Sequence, residues 1–178
     1  MIIKNNETQF GLVSKLIHWL MAGLFIALIA IALYMDYLPR SPEKFEFFAL
    51  HKALGVLALV SVFARIVWHR VSQVPAPIAE GFKLKLAHLG HIALYLLMLV
   101  MPISGALMSV SGGHDINFFD WFVISGFSEK SEGLNEITGL IHHYGSKALY
   151  VVLVGHIAAA LYHHFIVKDD TLKRITSK

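Results

Sequence analysis

The chain has 178 residues, 56% of them apolar, and its mean hydropathy of +0.62 is too high for a water-soluble domain. It contains no cysteine, which excludes disulfides, iron–sulfur clusters, thiolate-bound metals and C-x-x-C-H attachment of haem. Its net charge is +3, but the basic residues flank apolar stretches and so indicate membrane topology. We therefore expect a membrane protein with no nucleic-acid partner.

Four apolar segments reach the ~20 residues that a helix needs to cross a bilayer. They cover roughly 12–34, 48–67, 86–108 and 147–167. The first segment is long and has no small-residue cleavage pattern, so we expect it to remain as a helix. The sequence predicts an all-α protein, a transmembrane four-helix bundle that forms a single domain over residues 1–178.

Two helices are expected to begin before their apolar segments. Ser41 can cap the second helix and Pro42 suits its first position, which places His51 about two turns inside. The fourth helix is expected to begin near Asn135, so that His142 already lies on continuous helix.

The distribution of basic residues predicts the topology. The N-terminus, the second connection and the C-terminus carry ten Lys or Arg: Lys4, Lys15, Arg65, Arg70, Lys83, Lys85, Lys168, Lys173, Arg174 and Lys178. The opposite side carries five Lys or Arg, together with eight acidic residues. By the positive-inside rule, both termini are cytoplasmic. His18 and His156 then lie toward the cytoplasmic side, and His51 and His142 toward the outer side.

Histidines form the most informative pattern. His142 and His156 are 14 residues apart, which on an α-helix is ~1400° of rotation and ~21 Å of rise, so they share one face at two depths. Depth pairs His18 with His156 and His51 with His142. Ionisable residues within a membrane are usually functional. Four histidines at two levels of a bundle are what two stacked haems, each with two histidine ligands, require.

Two further features concern the space around these histidines. His143 is 13 residues from His156, ~1300° of rotation, which directs it to nearly the opposite face and makes His142 the better ligand candidate. A flat porphyrin also needs small residues within a turn of its ligands. Such residues are Ala22, Gly55, Gly145, Ala159 and Ala160, although small residues also serve ordinary helix packing.

Four other histidines lie at the predicted cytoplasmic end, near His69. They are His88, His91, His163 and His164. They are either interfacial side chains wetted by headgroup water, or some of them line a quinone pocket and move protons there.

On the outer side, Arg40, Lys44 and Lys52 lie near the entry to the outer histidine level. They could pair with haem propionates, attract a small anion, or belong to a solvated loop beside Glu43 and Glu46.

The connection from Ser109 to about Asn135 is long enough to cover the bundle. Its aromatic residues are spaced like those of a segment lying in the membrane interface; they are Phe118, Phe119, Trp121, Phe122 and Phe127. In the preceding helix we expect Pro102 to cause a kink, with Ser104 helping to satisfy the freed carbonyl.

Several stretches of the chain resemble the bacterial cytochrome b561 family, in order and at matching spacing. They are Lys15-Leu16-Ile17-His18-Trp19-Leu20, His51-Lys52-Ala53-Leu54-Gly55, Leu86-Ala87-His88-Leu89-Gly90-His91 and Gly155-His156-Ile157-Ala158-Ala159-Ala160-Leu161-Tyr162-His163-His164. The resemblance implies a four-helix protein of the bacterial inner membrane that holds two b-type haems. It carries the ligand roles over to His18, His51, His142 and His156, in the pairs that depth predicts.

One member of that family oxidises superoxide at the periplasmic face and passes the electrons to ubiquinone near the cytoplasmic side. The resemblance therefore implies a superoxide:ubiquinone oxidoreductase, with Arg40 and Lys52 at the superoxide entry. The outer side departs from this picture because its acidic residues outnumber its basic ones, which on average repels an anion.

Two alternatives follow from the same sequence. The chain could be a haem-bearing anchor and electron relay for a periplasmic dehydrogenase or hydrogenase, as other relatives are. It could also be a histidine-lined metal or proton transporter, which would purify without colour.

Overall fold

The computed structural model describes residues 2–176 and shows four long helices, with a small β-hairpin between the third and the fourth. The helices are α1 (Leu12–Tyr37), α2 (Pro42–Val71), α3 (Gly81–Ser111) and α4 (Glu132–Tyr162). A π-helical turn, His163–Val167, continues α4, and a short helix, α5 (Lys173–Thr176), follows it. The hairpin strands are β1 (Ile116–Phe118) and β2 (Phe122–Ile124).

All four long helices are apolar enough to cross a bilayer. Their inward faces form a thin core, which contains Met21, Phe25, Leu28, Ala58, Val62, Leu94, Met101 and Leu149. Large apolar side chains also point outward; Leu20 is 71% exposed and Val151 is 72% exposed. Such a surface suits lipid rather than water, so the transmembrane four-helix bundle predicted from the sequence is confirmed.

The helix starts follow local capping signals. Ser41 Oγ accepts a hydrogen bond from the Lys44 backbone N–H at 3.2 Å, and Pro42 is the first helical residue, as predicted. Helix α4 begins at Glu132, slightly before Asn135 and well before the apolar segment that starts at residue 147. Residue 147 is therefore wrong as the start of the fourth helix. Hydropathy marks only the apolar part of α4, and its first turns are polar.

The helices pack in chain order. Helix α1 packs against α2, α2 against α3, and α3 most extensively against α4. Among the described residues, α4 makes no extensive backbone contact with α1 or α2. The separation between α4 and these two helices is spanned by the two histidine pairs that the sequence predicts.

Both termini lie at one end of the bundle, together with the connection between α2 and α3. Asn5 Nδ2 donates a hydrogen bond to the Gln73 carbonyl at 2.7 Å, and an Arg174 N–H donates to the Ala76 carbonyl at 2.6 Å. Trp19 Nε1 donates to the Ile175 carbonyl at 3.1 Å, which ties the C-terminal segment to α1. The N- and C-termini therefore share one face of the membrane.

The hairpin caps the opposite end. Its strands pair antiparallel, with Phe118 opposite Phe122, and these two rings stack with centroids 4.9 Å apart. Ile116 is buried against the bundle, whereas Trp121 is 83% exposed. The spacing of the aromatic residues predicts a segment in the membrane interface here, but it does not predict strands. The turn requires positive φ at Asp120 and the residue before it, which an aromatic pattern does not reveal.

Candidate functional site

His51 on α2 and His142 on α4 form what we call the outer pair. Their ring centroids are 6.4 Å apart and their planes nearly perpendicular. The His142 Nδ1–H donates to the Met101 carbonyl at 3.0 Å, since a carbonyl can only accept. Ser104 Oγ lies 3.3 Å from the same nitrogen. This arrangement leaves His142 Nε2 to bind a metal.

His51 completes the outer pair from a largely apolar environment. Its Nδ1 is buried and has no hydrogen-bond partner within residues 2–176. A β-carbon added at Gly55, one turn further along α2, would meet nothing within 4 Å. There is consequently open space beside this histidine.

His18 on α1 and His156 on α4 form what we call the inner pair. Their ring centroids are also 6.4 Å apart, with an interplanar angle of 53°. His91 on α3 approaches the same level, with its ring centroid 5.8 Å from that of His156. Arg65 on α2 places a terminal nitrogen 3.4 Å from His18 Nδ1. The inner level thus gathers three imidazoles and one guanidinium.

The spacing of both pairs suits a metal held between two imidazoles. Two rings on opposite sides of one metal, each bound through a nitrogen about 2 Å away, have centroids roughly 6 Å apart. Both pairs match this value. Neutral imidazole nitrogens are the axial ligands of many b-type haems. The residues present therefore fit a haem at each of the two levels.

The two adjacent histidines of α4 face different directions. His142 is half-buried and meets His51, whereas His143 is exposed and its ring lies 5.1 Å from that of Tyr144. This is the arrangement that the helical spacing relative to His156 predicts.

The four histidines expected near the cytoplasmic end divide between two places. His88 and His91 lie on α3, where His91 meets the inner pair and His88 is exposed near it. His163 and His164 lie in the π-helical turn that ends α4. The His164 Nδ1 is buried and has no hydrogen-bond partner among the described residues.

His163 is held by the chain that follows it. Its Nδ1 lies 2.5 Å from Asp169 Oδ2, and the Asp169 backbone N–H donates to the His163 carbonyl at 3.2 Å. Burial raises the pKa of the Asp169 carboxyl, but hydrogen bonds from His163 and Thr171 outweigh this effect and lower the pKa to about 2. Lys168, in the left-handed conformation, turns the chain back to make the pair possible.

Two cavities lie at the ends of the bundle, away from these histidines. The larger, about 300 Å³, lies between the N-terminal and C-terminal segments and includes Lys15 and Lys173 in its lining. The smaller, about 130 Å³, lies beside the hairpin and is lined in part by His114 and Lys130.

The basic residues of the outer side are placed differently from one another. Arg40 is exposed, with its guanidinium carbon 6.0 Å from the centroid of the Phe45 ring. Lys44 Nζ donates to the Leu38 carbonyl at 3.0 Å. Lys52 Nζ donates to the Asp115 carbonyl and so joins α2 to the hairpin. Of these three cations, Arg40 is the one without a hydrogen bond to a carbonyl in residues 2–176.

Two site residues escape the sequence analysis. Arg65, counted there among the topology signals, lies inside α2 beside the inner pair. Gly105, for which the sequence indicates only a structural role in the third helix beside Pro102, packs directly against the His142 ring. The charge of Arg65 inside an apolar helix was a usable signal, whereas the contact of Gly105 depends on how α3 and α4 pack.

Comparison with known proteins agrees with this geometry. The family described as prokaryotic cytochrome b561 matches residues 9–178. "Cytochrome b561 homolog 2" of Escherichia coli K12 is 33% identical over 100% of this chain and 96% of its own length. "Cytochrome b561 homolog 1" of the same strain is 30% identical over 94% of this chain and 96% of its own length. "Probable superoxide oxidase CybB" of Yersinia pestis is 29% identical over 91% of this chain and 92% of its own length.

A family match over nearly the whole chain, together with four apolar helices, supports a protein of the bacterial inner membrane. The family implies b-type haem and electron transfer. The chain belongs to the prokaryotic cytochrome b561 family.

Proposed function

We propose that this protein is a di-haem cytochrome that carries electrons across the inner membrane, from superoxide at the periplasmic face to ubiquinone at the cytoplasmic face. The observation that carries the proposal is the presence of two imidazole pairs, both with centroids 6.4 Å apart, at two levels of one bundle. The two termini then lie in the cytoplasm, as the positive-inside rule favours.

Each histidine has an assigned role. His51 and His142 would hold the outer haem, and His18 and His156 would hold the inner haem. When bound, the two haems would supply one-electron carriers. Helix α3 orients the outer ligand because the Met101 carbonyl fixes the His142 ring through Nδ1.

Superoxide is proposed as the donor because its oxidation to dioxygen releases a single electron. Arg40, exposed near the outer end, is the cation proposed to attract the anion, and the Lys52 ammonium, bound to the Asp115 carbonyl, adds a second positive charge on the outer side. A relative that is 29% identical carries the name of probable superoxide oxidase. The acidic residues of the outer side oppose this attraction, so it depends on the local field around Arg40.

Ubiquinone is proposed as the acceptor, and its reduction to quinol takes two electrons and two protons. Two superoxide anions therefore yield two dioxygen molecules and one quinol. Histidines near the cytoplasmic end are suited to deliver the protons. Candidates are His88, His91, His163 and His164.

The proposal is tested with the purified chain in vesicles that contain ubiquinone. Superoxide is generated outside at a constant rate, and quinol formation is followed by absorbance. We expect two superoxide anions to be consumed for each quinol formed. The same protein without quinone serves as the control. If superoxide disappears no faster than it does in empty vesicles, the proposed donor is wrong.

One observation favours a second candidate, a haem-bearing relay for a periplasmic dehydrogenase or hydrogenase. The hairpin exposes a group of aromatic side chains beyond the bundle end: Phe119, Trp121, Phe122 and Phe127. Such a surface suits either the membrane interface or a partner protein. Co-purification of a redox partner, with no turnover of superoxide by the isolated chain, would favour the relay.

A further inference from the structure

Arg65 is a charged residue in an apolar setting. It lies on α2 about 9 Å before the helix ends at Val71, by the rise of an α-helix. It is half-buried, and its Nε donates a hydrogen bond to the Tyr95 hydroxyl at 2.9 Å. Its guanidinium carbon also lies 5.7 Å from the centroid of the Tyr95 ring. Helix α3 therefore holds this side chain in place.

The partners of Arg65 within the protein are neutral. In the described part of the chain, the ion pairs are those of Asp169 with His163 and Asp170 with Lys173. No carboxylate there lies within 4 Å of Arg65. A cation at membrane depth costs several kcal/mol unless an anion or water compensates it. No carboxylate of residues 2–176 compensates this charge, so its partner is an anion from outside the chain or water.

The guanidinium N–H groups that Tyr95 does not use lie at the membrane depth of the inner pair. A guanidinium has five N–H groups in a planar fork that matches a carboxylate. One is used by Tyr95, and a terminal nitrogen lies 3.4 Å from His18 Nδ1, which carries a hydrogen and cannot accept when that ring binds a metal through Nε2. Through His18 this guanidinium adjoins the inner pair, which His91 also approaches. It is thus the cation nearest to where the inner haem is proposed.

We propose that Arg65 is the cationic partner of a propionate carboxylate of the inner haem, an inference that rests on the proposed function. Tyr95 is then a positioning residue, because it holds the guanidinium from its Nε side and leaves the terminal N–H groups for the anion. The pair compensates both charges within the membrane.

The proposal fixes the sign of an effect on the reduction potential. A positive charge beside a haem disfavours the oxidised iron, which carries one more positive charge than the reduced iron. Arg65 therefore raises the potential of the inner haem. Removal of the charge should change the equilibrium constant for one-electron reduction by roughly tenfold, which corresponds to about 59 mV.

The test compares redox titrations and haem content of purified wild type, Arg65→Gln, Arg65→Lys and Arg70→Gln. Arg70 is an exposed arginine of the same helix and serves as the matched control. We expect Arg65→Gln to lower the potential of one haem component, the one that disappears in His18→Ala. Arg65→Lys keeps the charge and should lie between Arg65→Gln and wild type, and Arg70→Gln should match wild type.

Several results would overturn the inference. One is that Arg65→Gln has the reduction potentials and haem content of wild type, which would place the guanidinium among lipid headgroups or water. Another is that Arg65→Gln shifts the haem component that His142→Ala removes, and a third is that Arg65→Lys and Arg65→Gln have equal effects. Loss of the inner haem from Arg65→Gln but not from Arg65→Lys would support the inference. A wild-type protein without two haems would instead refute the proposed function, and this is visible before any variant is made.

Discussion

Gly105 of α3 lies against the imidazole of His142 on α4. A β-carbon built on Gly105 would sit 2.8 Å from His142 Cε1 and 3.0 Å from Nδ1. A β-carbon essentially never comes closer than 3.0 Å to a heavy atom outside its own residue and chain neighbours, so a side chain at position 105 must displace the ring. The nitrogen concerned is the one that donates to the Met101 carbonyl. Gly105 therefore sets the position of one proposed haem ligand.

Gly105→Ala should disturb the outer haem selectively. The added methyl overpacks the contact, at a cost of about 1–3 kcal/mol, and pushes His142 away from its hydrogen bond. We expect loss or spectral change of one haem component, measured by reduced-minus-oxidised absorbance and haem content. Gly23→Ala is the control, because a β-carbon there meets nothing within 4 Å. Equal behaviour of the two variants would show that the contact does not position His142.

Replacement of the adjacent histidines tests which one is the ligand. His142→Ala should remove one of two haems, since it deletes half of the outer pair. His143→Ala should keep both, because that ring is exposed beside Tyr144. Haem content per chain is the measurement. Loss of haem from the His143 variant alone would reverse the assignment.

The pair of His163 and Asp169 predicts a pH dependence of the C-terminal segment. The pKa of Asp169 is lowered from 3.8 to about 2 in the folded chain. The stabilisation is therefore complete above the unfolded pKa of 3.8 and is lost as the pH falls toward 2. Amide hydrogen exchange of residues 169–171, corrected for the intrinsic rate at each pH, should accelerate as the pH falls from 3.8 toward 2.

Asp169→Asn should show that accelerated exchange, corrected for intrinsic rates, already at neutral pH. Asp170→Asn is the matched control, since the Asp170 pair with Lys173 is largely exposed and contributes little. If both variants exchange like wild type at neutral pH, the pair does not hold the segment.

Arg40 should govern the rate at which superoxide reaches the outer face. Arg40→Gln should slow superoxide-dependent quinol formation several-fold at low salt and have a smaller effect at high salt, because steering by charge is screened. Arg40→Lys should retain most of the rate. Initial rates across ionic strength are the measurement. A salt-independent rate that is equal in all three proteins would remove Arg40 from the entry path.

Hydropathy and helical periodicity predicted most of the fold and the two histidine pairs. The spacing of His142 and His156 along one helix is a local property, and each meets its predicted partner. The cap at Ser41 is equally local. The spacing on α4 and the cap depend on residues close together in the sequence, whereas the partners on other helices follow from the membrane depth that the predicted topology gives each histidine.

Other features depend on contacts that spacing does not specify. The approach of Gly105 to His142 and that of His91 to His156 arise from how α3 packs against α4. The hairpin was missed because its short strands lie within an aromatic stretch that also suits the membrane interface. Arg65 lies near the end of the predicted segment 48–67, where its charge suits the basic connection that follows, but α2 continues to Val71 and holds it beside the inner pair.

If four histidines hold two haems in one bundle, the haem-to-protein ratio of the purified wild-type chain is the measurement that decides it. We expect two b-type haems per chain. A ratio of one, or protein without haem after expression with ample haem supply, would contradict it.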